Sequence, residues 1–181
     1  GATLAAASGE NMQTALGEDI LTRILGAGEP GGLGRLQGLL AESINKAAAQ
    51  AAAGAGVRAH EITAVAVGAN TTMTHFLLGL DPTRICREPY IPAANAPGLL
   101  QAAELGLAAL PEAVVYCVPG VGSYVGGDAV AGVLVSGMHN RKEVSLFVDI
   151  GTNGEVVAGG RDWLVAAAGA GTRSRGRRAA R

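Results

Sequence analysis

VSLFVDIGTNGEVVAGG, residues 144–160, is the stretch whose reading decides the fold. An apolar run from Val144 to Val148 ends in Asp149-Ile150-Gly151-Thr152-Asn153-Gly154-Glu155, and a second short apolar run follows at once. Two apolar runs separated by a glycine- and asparagine-containing break predict strand, tight turn, strand. An acid closes the first strand and two glycines lie in the turn. Such a turn can aim several backbone N–H groups at an anion. The acid beside it suits Mg²⁺ held through water, because that ion keeps much of its hydration shell. Taken alone, the segment fits a plain β-hairpin and a phosphate loop equally well.

Outward from this segment the chain alternates elements. Residues 2–7, ATLAAA, read as a short strand. Glu18 to Leu25 reads as a helix with Ile20, Leu21, Ile24 and Leu25 on one side. Residues 26–34 are a loop punctuated by glycine and proline. Leu36 to Ala53 is a helix, since Leu36, Leu39, Leu40, Ile44 and Ala47 recur at helical spacing. Gly54 and Gly56 stop it. Ile62 to Val67 has the character of a buried strand. Asn70 or Thr71 then caps a helix that runs to Leu78 and ends at Gly79. Residues 81–98 hold four prolines in a long connection. Leu99 to Leu107 reads as a weak helix, Val114 to Val118 as a strand, Ser123 to Met138 as a helix rich in small residues, and 162–167 as a further strand. This order predicts an α/β chain with a largely parallel central sheet and right-handed crossovers.

Composition removes several function classes. The 181 residues are 49% hydrophobic, enough for a buried core. Net charge is −1 and aromatics are 3%, which argues against a nucleic-acid binder and against base-stacking platforms. No apolar run reaches membrane-spanning length, and the start lacks a charged-then-apolar leader pattern, so the expected location is cytoplasmic. Cys86 and Cys117 lie far apart with no CxxC spacing, which makes a zinc or iron–sulfur site within this chain unexpected.

Two further clusters carry candidate chemistry. Gly120, Gly122 and Gly126 follow a strand and precede a helix, a context that suits a dinucleotide-binding turn or simply close helix packing. A Rossmann site also wants an acid about 20 residues on, ending the next strand. Asp149 comes later than that. Asp128 follows Gly126-Gly127 in the first turn of a helix. It is either a favourable charge at the helix N-terminus or a group that orients water or metal. Asn70 and Thr71 open a helix after a strand. Their ordinary role is capping, and the sharper one is lining a ligand cleft beyond the strand ends. His60, His75 and His139 form no metal or triad constellation, and no Gly-x-Ser-x-Gly elbow is present.

Five phrases together resemble one family: VDIGTNGEVV (148–157), VGANTTMTHFLLGLDP (67–82), EPYIPAAN (88–95), GSYVGGDAVAGVLVSGM (122–138) and GEDILTRI (17–24). They are similar to the ATPase domain of reductive activators of corrinoid proteins, within the acetate and sugar kinase, Hsp70 and actin (ASKHA) superfamily. The resemblance spans roughly residues 8 to 168. It implies an α/β fold of RNase H-like lobes with ATP and Mg²⁺ in the cleft between them. It also implies an activity in which ATP hydrolysis drives an electron from an iron–sulfur centre to Co(II) corrinoid, giving Co(I). On this resemblance Asp149, Gly151, Thr152, Asn153 and Gly154 match the second phosphate loop. Asp149 would then hold Mg²⁺ through water, with Asp128 as a second catalytic group and Asn70 and Thr71 at the nucleotide. Residues 1–140 would be the first lobe, with 123–138 its connecting helix, and 141–170 the start of the second lobe. The implied partner is the corrinoid protein of a methyl-transfer system, with no nucleic acid and no membrane, and a homodimer of the full-length protein is compatible with it.

The departures set further expectations. The family's first Asp-x-Gly-Thr loop and its 2Fe–2S domain would precede residue 1, so this chain is expected to be a fragment, incomplete at both ends and inactive alone. Residues 171–181, GTRSRGRRAAR, carry five arginines where relatives continue Gly-Pro-Ala-(Phe/Leu)-Glu-Gly. Back-translated as GGG ACC CGC TCT CGA GGG CGC CGG and read one base later, residues 171–178 give Gly-Pro-Ala-Leu-Glu-Gly-Ala. For that choice of codons, 171–181 is expected to be an aberrant basic tail produced by a frameshift. Two rival readings stay open at this point: a NAD(P)-binding Rossmann module on Gly120, Gly122 and Gly126, and a non-enzymatic interaction module that uses an exposed sheet edge.

Overall fold

The computed structural model describes residues 1–150 and 153–170. Within them, chain contacts define two compact units, Gly1–Val130 and Ala131 onward.

The first unit is helical at its start. Helix α1, Ile20–Ala27, begins because Asp19 accepts hydrogen bonds from the Thr22 backbone N–H (2.8 Å) and the Thr22 hydroxyl (2.9 Å). Helix α2, Gly32–Ala55, ends at Gly56, whose left-handed backbone (φ 73°) turns the chain out of the helix. Strand β1, Ala64–Val67, leads through Asn70 into helix α3, Thr71–Leu78. The Asn70 side chain accepts from Met73 N–H at 2.9 Å, and Gly79 closes α3 at φ 64°. Strand β2, Leu100–Gln101, and strand β3, Val114–Cys117, complete a three-stranded sheet in the order β1-β3-β2. β3 pairs parallel with β1 and antiparallel with β2. Val115 and Cys117 point into the core, where Leu36 and Leu40 of α2 and Phe76 and Leu77 of α3 meet them. Val114 and Tyr116 alternate to the exposed side.

Helix α4, Gly127–Ser136, crosses the division between the units. The second unit continues with strands β4, Ser145–Ile150, β5, Asn153–Gly160, and β6, Trp163–Ala170, an antiparallel sheet in that order. Its core is small: Val133, Met138 and Val157, with Phe147 packed against them. The Phe147 ring lies so close over Gly132 that a side chain there would collide with it.

Several expectations fail for identifiable reasons. Residues 2–7 form no strand; the first regular element is a 3₁₀ turn at Met12–Leu16. Of the four apolar residues expected on one side of α1, only Ile24 is buried, while Leu21 and Leu25 are exposed, and Arg23 is buried beside it. Residues 99–107 are the two-residue β2 followed by a 3₁₀ turn, Ala102–Leu105, because Glu104 reaches back to the Gln101 N–H (2.8 Å) and Gly106 terminates the turn at φ 66°. The helix expected over 123–138 starts only at Gly127, since the chain at 120–126 turns back on itself through Val121 N–H to Val125 O (2.8 Å). The largely parallel sheet is also corrected. Among the described residues, β1–β3 is the one parallel pairing and the other three are antiparallel. The long 68–113 connection permits a parallel return, whereas the two-residue links before β5 and β6 leave only hairpins.

Candidate functional site

The candidate residues fall into two groups, one in each unit. In the first unit, Asn70 and Thr71 open α3 and Asp128 opens α4. Thr71 is buried, and its hydroxyl donates to Gly122 O at 2.7 Å. Asp128 donates its N–H to Ala69 O (3.1 Å), and its carboxylate accepts from Ala129 N–H (2.9 Å). That second bond is what a first-turn acid does in a helix, so the packing role of Asp128 has a visible partner. Gly126 and Gly127 are required by this closeness. A Cβ on Gly126 would stand 2.6 Å from Asn70 Cα and 2.7 Å from Thr71 N, and one on Gly127 would run into the Val118 carbonyl. Glycines 126 and 127 are therefore used by the protein's own backbone, pressed against the start of α3.

A small pocket, with room for about one water molecule, opens where these pieces meet, lined by Thr71, Thr74, Ala94, Asn95, Val118, Gly120 and Gly127. Asn70 lies outside this lining, exposed at the helix cap. The floor is the start of α3 and the end of β3, and one wall is the proline-rich connection. Gly120 N–H donates to Asn95 O (2.8 Å), and the Ser123 hydroxyl donates to Tyr90 O (2.6 Å). Tyr90 and Tyr124 stack at an angle with ring centroids 5.8 Å apart. Beneath the wall lies His75, fully buried, with Nδ1 2.7 Å from Thr71 O and Nε2 3.0 Å from the Ala93 nitrogen. Burial holds the His75 imidazole below its ordinary pKa, with the Thr71 carbonyl and the charge of Asp81 opposing more weakly. Asn95 and His75 carry no sequence signal for this arrangement, because the wall comes from a loop far along the chain.

In the second unit Asp149 is the penultimate residue of β4. Along this strand Ser145, Phe147 and Asp149 are half-buried while Leu146, Val148 and Ile150 are exposed. Asp149 therefore shares the face on which Phe147 packs. Register places Glu155 directly opposite Asp149, and Gly154 opposite Ile150. Alternation counted from the turn puts Glu155 toward solvent. The observed pairing instead puts it on the Asp149 face, half-buried, where opposed Cβ atoms lie about 5 Å apart. Gly154 stands on the other face, and a Cβ there would meet open space. Gly151 and Thr152, and the tail 171–181, lie outside the described residues, as does the side chain of Asn153.

The second-unit group fits a hydrated divalent cation and not a caged one. Among the described residues, no cluster of three or more His, Cys, Asp or Glu side chains could hold a metal. Mg²⁺ asks less of a protein, commonly one or two carboxylates with phosphates and water completing the shell. Asp149 with Glu155 across the hairpin supplies that donor chemistry. An iron–sulfur cluster does not fit this chain: it takes four thiolates in its usual form, and Cys117 is buried in the core while Cys86 is half-buried.

Comparison with known proteins places the chain in a family. Residues 1–141 match the family described as the RACo middle region, and residues 143–172 match the C-terminal domain of RACo, the ASKHA domain. The corrinoid activation enzyme RamQ of Eubacterium limosum is 30% identical over 153 residues, which cover 84% of this chain and 26% of RamQ. The solved structure of a reductive activator for a corrinoid, iron–sulfur protein superposes with a TM-score of 0.83 at 44% identity, over 87% of this chain and 25% of that one. The chain thus spans about a quarter of the length of these relatives. Among the described residues no helix is long and apolar enough to cross a membrane. With both matches in sequence order and the fold in agreement, the chain belongs to the RACo family and has its ASKHA-like α/β fold.

Proposed function

We propose that the protein carrying this chain is an ATP-dependent reductive activator of a corrinoid protein. In this reading ATP hydrolysis drives one electron from an iron–sulfur centre to Co(II) corrinoid, giving Co(I) in a methyl-transfer system. The observation that carries the reading is the 44% identity and TM-score of 0.83 to a reductive activator over 87% of the chain. Residues 1–140 form part of a first lobe, the helix beginning at Gly127 connects lobes, and 141–170 open the second.

Each candidate residue takes a role consistent with its setting. Asp149 holds a water of the Mg²⁺ shell, with Glu155 facing it across the hairpin. The phosphate contact is assigned to Gly151, Thr152, Asn153 and Gly154 on the family resemblance of the Asp-Ile-Gly-Thr-Asn-Gly run. Thr71 lines the pocket of the first unit, with Asn70 at the cap beside it, and Asp128 orients water or metal. ATP with Mg²⁺ is the cofactor these residues serve. The iron–sulfur centre belongs to another part of the protein, since this chain's cysteines do not fit it. The cytoplasmic location expected from sequence accompanies the reading.

A nucleotide-binding screen on the full-length protein tests it. Saturable binding of ATP that requires Mg²⁺, with no binding of NADH or NADPH, is the expected result. Nicotinamide binding without ATP binding would replace the reading with the Rossmann alternative on Gly120, Gly122 and Gly126.

A further inference from the structure

We propose that His75 is a positioning residue, whose imidazole closes a ring of hydrogen bonds that fixes the wall of the first-unit pocket. The ring can be traced bond by bond. Thr71 O meets His75 Nδ1 at 2.7 Å, and Ala93 N–H donates to His75 Nε2 at 3.0 Å. Two residues on, Asn95 O accepts from Gly120 N–H at 2.8 Å. Two residues beyond that, Gly122 O accepts from the Thr71 hydroxyl at 2.7 Å, which returns the path to its start. Thr71, Ala94, Asn95 and Gly120 are both on this circuit and in the pocket lining.

The partners fix the protonation state of the ring. Ala93 offers only an N–H, so Nε2 must accept, and the proton must sit on Nδ1 where the Thr71 carbonyl receives it. A second proton on Nε2 would face the Ala93 N–H donor to donor. Residues 87–99 form no helix or strand, so separate contacts hold the wall: Ser123 to Tyr90 and Gly120 to Asn95 from the 120–124 turn, and His75 to Ala93 from α3. His75 is therefore the link by which α3, whose first turn carries Thr71, sets the position of Ala93 to Asn95. The effect on turnover rests on the proposed function, whereas the ring itself does not. Because the wall adjoins the residues assigned to orientation, loosening it should lower turnover more than nucleotide affinity. Small misplacements at a reacting centre cost rate steeply.

The test uses the full-length protein and three variants. His75→Gln keeps an acceptor near the Nε2 position. His75→Asn keeps polarity near Nδ1 but does not reach Ala93. Ala93→Pro removes the donor from the exposed side of the bond and leaves the buried histidine in place. Amide exchange at Ala93 and kcat and KM for Mg-ATP are read together. The expected result is that His75→Asn speeds Ala93 exchange by about tenfold or more, that both His75→Asn and Ala93→Pro lower kcat by about tenfold with KM within about threefold, and that His75→Gln stays near the parent. Unchanged Ala93 exchange in His75→Asn would overturn the ring. Faster exchange with kcat intact, or KM and kcat moving together, would overturn the positioning role. A parent protein with no ATP turnover would instead fail the proposed function, leaving the exchange result to decide the ring.

Discussion

Asp149 and Asp128 make the sharpest residue-level predictions because they differ in what surrounds them. Asp149 shares its strand face with Phe147 and stands opposite Glu155. In the full-length protein Asp149→Ala is expected to cost about 3 kcal/mol of transition-state stabilisation, on the scale of losing one preorganised group. That is a hundredfold or more in ATP hydrolysis at about 1.4 kcal/mol per tenfold, and steady-state phosphate release measures it. Unchanged release would remove the assignment. Asp128 already spends its carboxylate on the Ala129 N–H. Its charge at the helix start is worth only about 0.3–1 kcal/mol. Asp128→Asn should lower turnover while the melting temperature holds; the reverse result would return Asp128 to a capping role. His75 adds a pH dependence. Burial depresses its pKa in the folded state, so between that value and the unfolded value the unfolded chain binds more protons. Stability from this group is full above the ordinary histidine range and is lost as pH falls through the folded pKa. Urea unfolding at pH 7.5 and pH 5.5 should show a loss on acidification that His75→Gln diminishes. An equal loss in both proteins would contradict it.

At the scale of elements, close approach is specified by glycine. Gly132→Ala on α4 gains about 1 kcal/mol of helix propensity but drives a methyl group into the Phe147 ring. Overpacking of a filled site costs about 1–3 kcal/mol, so the net change is expected to be destabilising, and Phe147→Leu in the same background should recover part of it. Denaturation midpoints of the two single variants and the double variant decide this, and additive effects would show that the contact carries no strain. Much of the architecture was legible because its signals are local. Asn70 and Gly79 bracket α3, Gly56 ends α2, and two apolar runs around a glycine break make the β4–β5 hairpin. What was not legible depends on distant pairing. The turn at 102–105 is settled by one Glu104 contact, the late start of α4 by the turn that bonds Val121 to Val125, and the strand directions by connection length. The candidate site divides the same way. Asp149 was readable at a strand end, whereas the side taken by Glu155 needed the hairpin register. His75 and Ala93 meet across 18 residues of chain that no periodicity links.

For the molecule as a whole, one face of the β4–β6 sheet stands out. Leu146, Val148 and Ile150 of β4 share it with Trp163 and Val165 of β6, and all five are exposed. A contiguous apolar surface of this kind drives association. The isolated 181-residue chain is expected to scatter light increasingly with concentration and to bind an apolar dye, and Leu146→Lys with Val165→Lys should reduce both. A monodisperse, dye-silent chain would contradict this. The nucleotide sequence across codons 171–178 tests the frameshift expectation, which fails if no alternative frame continues Gly-Pro-Ala. The proposed function is that the protein carrying this chain uses ATP to reduce cobalt. Its most direct test is the visible absorbance of a Co(II) corrinoid protein mixed with the reduced full-length protein and Mg²⁺. The account predicts conversion to Co(I) that begins on adding ATP and is lost in Asp149→Ala. Conversion that proceeds equally without ATP, or ATP hydrolysis that leaves the cobalt as Co(II), would contradict it.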